Sequence, residues 1–294
     1  MNLTDGDIYG GLTGPLLPVA KFDFGNGISA SRTFAHLMAP FIMAFAPPAK
    51  AGQHHSGPWR AAKGGFGFDV ITQLHIPGSF RPEDWFDGLN TVWWFTALLR
   101  FIATPHIIVP VIADAPFQDG PAMEEIELFP VEVEHRSLLW APREVVKLTH
   151  EHLEWVRDVW YSAGMLMRTS SGFNTLFRAV DDCLFARTPS HALLSLWGAI
   201  ETVFSPSRGE LTFRISSNIA AFLEEPGLAR LELQKKVVKL YGARSDAAHG
   251  SENTKHEDLL ETFALAKRVI KKIIDVNHVP SKDELEQRLF GVNK

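Results

Sequence analysis

The sequence predicts two unlike parts, a small α+β module followed by an all-α helical bundle. Three observations carry that reading. Residues 1–142 are rich in Gly, Pro and Phe and hold short alternating or β-branched runs, while from residue 143 onward no convincing strand appears. Helical segments follow one another in the second part, divided by SSG, RTP, SPSRG, EEPG and HGSEN. Charge is also uneven: residues 1–142 hold 8 Lys and Arg against 14 Asp and Glu, whereas residues 143–294 hold 21 against 20. Neither part has the clear basic excess of a generic polyanion binder.

In chain order, LLPVAKFDF (16–24), GFGFDVITQLHI (65–76), PHIIVPVIA (105–113) and EEIELFPVEVEH (124–135) read as strands. One helix lies among them, introduced by Pro82, Glu83 and Asp84 and running through WFDGLNTVWWFTALLRF. An early proline followed by acids is a helix start signal. DIYGGLTG and AKGGFGFD have glycines but neither a P-loop Lys-Ser/Thr nor a strand–turn–helix context, so turns are expected there. Helices are expected over 143–167, 173–186, 189–204, 210–224, 228–249 and 255–276. The boundaries are therefore 1–142 for the α+β module and 143–294 for the helical domain, with its core over 173–276.

The bulk composition is globular: 294 residues, 46% hydrophobic and 21% charged, enough for a sizeable core. One cysteine, Cys183, excludes a disulfide framework within the chain and fits a reducing compartment. MNLTDGDIYGG has no basic stretch leading into an apolar one, so no secretion signal is expected. TVWWFTALLRFIATPHIIVPVIA is interrupted by Arg100, Pro105, His106 and Pro110, which predicts a buried helix followed by a strand and no membrane span. A cytoplasmic protein is expected.

Most chemical candidates are weak. His54 and His55 sit in a Gly/Pro-flanked loop without nearby Cys or acid, and His150 and His152 are two apart on a helix, pointing to different sides. No metal site and no cofactor is expected. Cys183 follows two aspartates that would raise its pKa, which argues against a nucleophile. There is no Gly-x-Ser-x-Gly elbow, and Trp155 and Trp160 read as core packing.

YGARSDAAHG (241–250) is different. The helix leading into it carries an apolar stripe through Leu233, Val237, Leu240 and Tyr241, whose next member is Arg244. His249 follows at the last turn, against Gly250, which reads as the residue ending the helix. Gly242, Ser245, Asp246 and His249 fall at i, i+3, i+4 and i+7, one small polar face open to close approach. Basic clusters lie nearby at Lys235, Lys236 and Lys239, and at Lys267, Arg268, Lys271 and Lys272; solvated helix faces are the commoner meaning of such runs.

Arg244-Ser245-Asp246-Ala247-Ala248-His249, an R-x4-H motif near the end of a penultimate helix and followed by Gly, resembles the signature of HEPN domains, particularly the ApeA-like branch of prokaryotic defence proteins. Leu196-Trp197-Gly198-Ala199-Ile200-Glu201 is similar to the apolar-plus-Glu helix of that branch, and ELTFRISSNIAAFLE to the helix after it. The resemblance covers residues 173–276, and residues 1–140 resemble nothing recognised. It implies a metal-independent endoribonuclease, toxin-like or antiviral, that works on RNA as a homodimer. Two motifs would meet in one cleft, where the RNA 2′-OH attacks the adjacent phosphate.

The residues suit those roles. His249, at the negative end of the helix dipole, is favoured as imidazolium and suits proton transfer near neutrality. Arg244 offers a planar fork of donors to a phosphate gaining charge. Ser245, Asp246 and Glu201 are supporting candidates, with Glu201 expected to hold the Arg244 guanidinium within the subunit. Lys235, Lys236 and Lys239 are candidate RNA contacts. Arg244 and His249 are about 140° apart around an ideal helix, a separation that juxtaposing two motifs across a dimer would overcome. The module at 1–142 would sense a regulatory ligand or phage component. The competing reading is a non-catalytic dimeric module in which Arg244 is a structural ion-pair residue and the helices only assemble.

Overall fold

The structure is a computed structural model that describes residues 6–39, 42–61, 66–80, 87–123, 126–133, 145–186, 188–204, 211–248 and 255–292. An antiparallel sheet region is followed by helices, the layout expected from the sequence. The chain divides into two compact units, Met1–Glu134 with Arg143–Arg157, and His135–Pro142 with Asp158–Lys294. The described residues 145–157 thus belong to the first unit, although their sequence grouped them with the helices.

In the first unit the strands are β1 (Ile8–Thr13), β2 (Pro15–Leu16), β3 (Lys21–Gly25), β4 (Ile28–Ala39), β5 (Ile42–Ala44), β6 (Trp59–Ala61) and β7 (Phe66–Ile76). Helix α1 (Gly88–Ile102) follows, then β8 (Ile108–Ala113), β9 (Leu128–Pro130) and β10 (Val146–Lys147). Six strands form one sheet in the order β3-β4-β7-β1-β8-β9, all neighbours antiparallel. β5 pairs with β6, and β10 pairs in parallel with β2. Asn26 and Gly27, with φ of 55° and 81°, make the two-residue turn joining β3 to β4; Asn-Gly adopts such left-handed pairs at low cost.

Two expectations are corrected here. DIYGGLTG is not a turn; Ile8–Thr13 is β1, in the middle of the sheet. Its glycines serve close packing, since a Cβ on Gly10 would come 2.7 Å from Val92 of α1, and one on Gly11 would come 2.9 Å from Phe117. Nor is the chain strand-free beyond residue 143, because Val146 and Lys147 pair with Pro15 and Leu16 and the first helix of that region starts only at His150. α1 starts at Gly88, where Asp87 accepts a hydrogen bond from the Asn90 amide at 2.8 Å; Pro82, Glu83 and Asp84 lie outside the described residues. Among the described residues no helix is long and apolar enough to cross a membrane. Arg100, 3% exposed, is held instead by the Ile107 carbonyl and by Glu132.

The helices after α1 are α2 (His150–Thr169), which contains the division between the units, α3 (Ser171–Asp182), α4 (Pro189–Phe204), α5 (Leu211–Leu223), α6 (Leu228–Ala248), α7 (His256–Val276) and α8 (Lys282–Leu289). Their starts follow from side-chain caps. Ser170 accepts from the Phe173 amide at 3.2 Å, and Thr188 accepts from the His191 amide at 3.2 Å with Pro189 opening α4. α8, which the sequence reading lacks, begins with a capping box between Ser281 and Glu284. In the second unit α4 packs against α3, α6 and α7. Leu193, Leu196, Trp197 and Ile200 of α4 are wholly buried together with Val237, Leu240, Val269, Ile270 and Ile273.

Candidate functional site

Four side chains from α4 and α6 build outward from this core. On α4, Trp197 and Glu201 are one turn apart and share a face; on α6, Tyr241 and Arg244 do the same. Trp197 is fully buried and Tyr241 is 6% exposed, and their rings meet edge to face with centroids 5.1 Å apart at 87°. Beyond them the Glu201 and Arg244 side chains are 21% and 32% exposed. Glu201 Oε1 accepts the Tyr241 hydroxyl at 2.9 Å and lies 3.3 Å from Arg244 Nη2, so the pairing expected for Glu201 and Arg244 is present. The Arg244 guanidinium carbon also lies 5.6 Å from the Tyr241 ring centroid, within cation–π range.

Two donors in this cluster are unsatisfied. Arg244 Nε and Trp197 Nε1 are buried with no hydrogen-bond partner among the described residues. Burial pushes the Tyr241 hydroxyl up to about 12, reinforced by its bond to Glu201 and by that carboxylate's charge, while Arg244 acts in the opposite sense. Tyr241 is therefore a neutral donor throughout the physiological range.

The other expected site residues are distributed as follows. Ser245 and Asp246 are exposed, as are Gly242 and Ala248, and an added Cβ at Gly242 meets nothing within 4 Å. Leu228, Leu231 and Val238 are also exposed, at 70%, 49% and 37%, and succeed one another at helical spacing on the side of α6 that reaches Gly242 and Ser245. His249 and Gly250 lie outside the described residues. Lys235 and Lys239 are exposed; Lys236 is engaged with Glu261 of α7 at 3.2 Å.

Tyr241 is the site residue that sequence reasoning missed, because it fits the apolar stripe of α6 so well. Its hydroxyl was the available signal, since a buried tyrosine oxygen seeks a partner. Among the residues set aside, His54 and His55 are exposed, and His152 exchanges backbone–side-chain hydrogen bonds with Thr149 at the start of α2. Cys183 is buried and its thiol is pushed up to about 12, by burial first and by Asp182 second. Among the described residues no group of three or more His, Cys, Asp and Glu is placed to hold a metal ion. Comparison of the chain with protein-family models, with curated proteins and with solved structures gives no match.

Proposed function

We propose that the chain is a metal-independent endoribonuclease of HEPN type, a toxin-like or antiviral effector. The observation that carries this reading is the setting of Arg244, a partly exposed guanidinium paired with Glu201, which also accepts the Tyr241 hydroxyl, and resting on the Tyr241 ring. In the proposed reaction the RNA 2′-oxygen bonds to the adjacent phosphorus as its proton leaves to His249, and the bond from phosphorus to the 5′-oxygen breaks. An imidazolium returns a proton to that leaving oxygen. Arg244 stabilises the charge that grows on the phosphate oxygens. Two α6 helices meeting through Gly242, Ser245 and Ala248 would bring two copies of the motif together, and the exposed Leu228, Leu231 and Val238 extend that contact. The sheet unit takes the regulatory role, answering a ligand or phage component.

The test is single-stranded RNA incubated with the purified chain in EDTA. Products ending in 2′,3′-cyclic phosphate, uncut DNA, and loss of cleavage in Arg244→Ala and His249→Ala are the expected results. Cleavage that requires Mg²⁺, or that persists in both variants, overturns the reading. One observation favours a second function: the Arg244–Glu201 pair is complete within one subunit, as a structural ion pair would be. In that case the chain is a non-catalytic dimeric module. Expression then causes no growth arrest that either substitution relieves, and Gly242→Leu still weakens self-association.

A further inference from the structure

We infer that the Tyr241 hydroxyl is the positioning group of the site: it fixes the Glu201 carboxylate, which in turn aims the Arg244 guanidinium at the phosphate. The aim at a phosphate rests on the ribonuclease reading; the chain of contacts rests on geometry alone. Glu201 Oε1 serves both neighbours, and its bond to Tyr241 Oη, at 2.9 Å, is shorter than its 3.3 Å approach to Arg244 Nη2. A partly exposed glutamate has three side-chain torsions to order, and a single long contact to a mobile arginine would hold it poorly. Tyr241 has only two, and its ring is wedged edge-on against the fully buried Trp197. Rigidity therefore runs from the core through Trp197 and Tyr241 to Glu201, and only then to Arg244. The same ring supports the guanidinium from beneath at 5.6 Å, so one residue restrains Arg244 directly and through its partner. Phenylalanine would fill the same space and offer the same ring. The oxygen is needed only for Glu201. Tyr241 is thus a positioning residue that touches neither RNA nor the transferred proton.

Tyr241→Phe in the full chain separates these statements. The first readout is hydrogen exchange of the protons on Arg244 Nη2, the nitrogen beside Glu201, by nitrogen-resolved NMR, the signal being assigned by its loss in Arg244→Ala. Exchange should quicken about tenfold in Tyr241→Phe, the size of one lost hydrogen bond to a charged group. Unchanged exchange overturns the proposal whether or not the protein cuts RNA. The second readout is cleavage, where kcat should fall about tenfold with KM little changed and with both limbs of the pH profile in place. Because Tyr241 acts through Glu201, the double variant Tyr241→Phe/Glu201→Gln should be no slower than Glu201→Gln alone. Additive losses, or a displaced alkaline limb, overturn the positioning role. Wild type that cleaves no faster than Arg244→Ala sinks the ribonuclease reading instead, and NMR still decides what Tyr241 does.

Discussion

Each unit contains an arginine paired with a glutamate, and the two pairs differ in every respect but composition. In the sheet unit Arg100 and Glu132 have side chains 2% and 18% exposed. Arg100 Nε donates to the Ile107 carbonyl at 2.8 Å, and Glu132 takes the Val109 amide at 2.7 Å besides its bond to Arg100. The pair thereby ties α1 to β8 and to the segment after β9, and its charges are spent on the fold. In the helical unit Arg244 is 32% exposed, has no partner for its Nε among the described residues, and rests on an aromatic ring. A buried pair that loses one member leaves a charge stranded, whereas a half-exposed pair can be opened at small cost. The first is therefore a structural fastening. The second is a partly exposed pair without such backbone ties among the described residues.

Stability separates them most sharply. Arg100→Ala should cost about 3–5 kcal/mol by stranding Glu132, a large part of the roughly 5–15 kcal/mol that holds a domain together. Arg244→Ala should cost no more than about 1 kcal/mol, as for other partly exposed pairs. Denaturant unfolding of the two variants measures both, and equal losses would erase the contrast. Activity should show the reverse order. Arg244→Ala should lower cleavage about 10²- to 10³-fold, as loss of a transition-state donor does, in a protein that melts like wild type.

Two glycines sharpen the comparison at lower amplitude. Gly10 lies under α1, and Gly10→Ala should destabilise by about 1–3 kcal/mol because the new methyl meets Val92 at 2.7 Å. Gly242 faces open space, so Gly242→Ala should stabilise the isolated subunit by up to about 1 kcal/mol through helix propensity. Thermal melting at dilute concentration reads both signs; destabilisation by Gly242→Ala would mean that α6 is packed on that face. The smallest effect is alkaline. The Tyr241 hydroxyl ionises at about 12 in the folded chain against 10.0 ordinarily, so the stability tied to its proton is whole below pH 10 and drains away as pH rises towards 12. Ultraviolet titration should show a late tyrosinate that Tyr241→Phe removes.

The helices were largely legible in the sequence because each carries its own period and its own caps. α6 over Leu228–Ala248 follows the stripe that predicts it, and α4 opens at the Thr188-Pro189 signal. The missing α8 was legible too, in the Ser281-to-Glu284 capping box, and so was the start of β4, in the Asn26-Gly27 turn. β1 was not. Gly10 and Gly11 lower strand propensity locally, and only the nearness of Val92 on one side and Phe117 on the other explains why glycine stands there. β10 is two residues long and exists only because Pro15 and Leu16 lie beside it.

The site divides the same way. That Arg244 continues an apolar stripe, and that Glu201 on an apolar helix needs a partner, can be read from helical periodicity and the cost of burying charge. By itself the sequence thus determined the helices, their faces and the candidates for pairing. Which partner each candidate took was decided by α4 packing on α6, which placed Glu201 and Tyr241, 40 positions apart in the chain, 2.9 Å from each other. Periodicity is a local property and survives in the sequence, whereas a contact between helices depends on the packing of both and exists only in three dimensions.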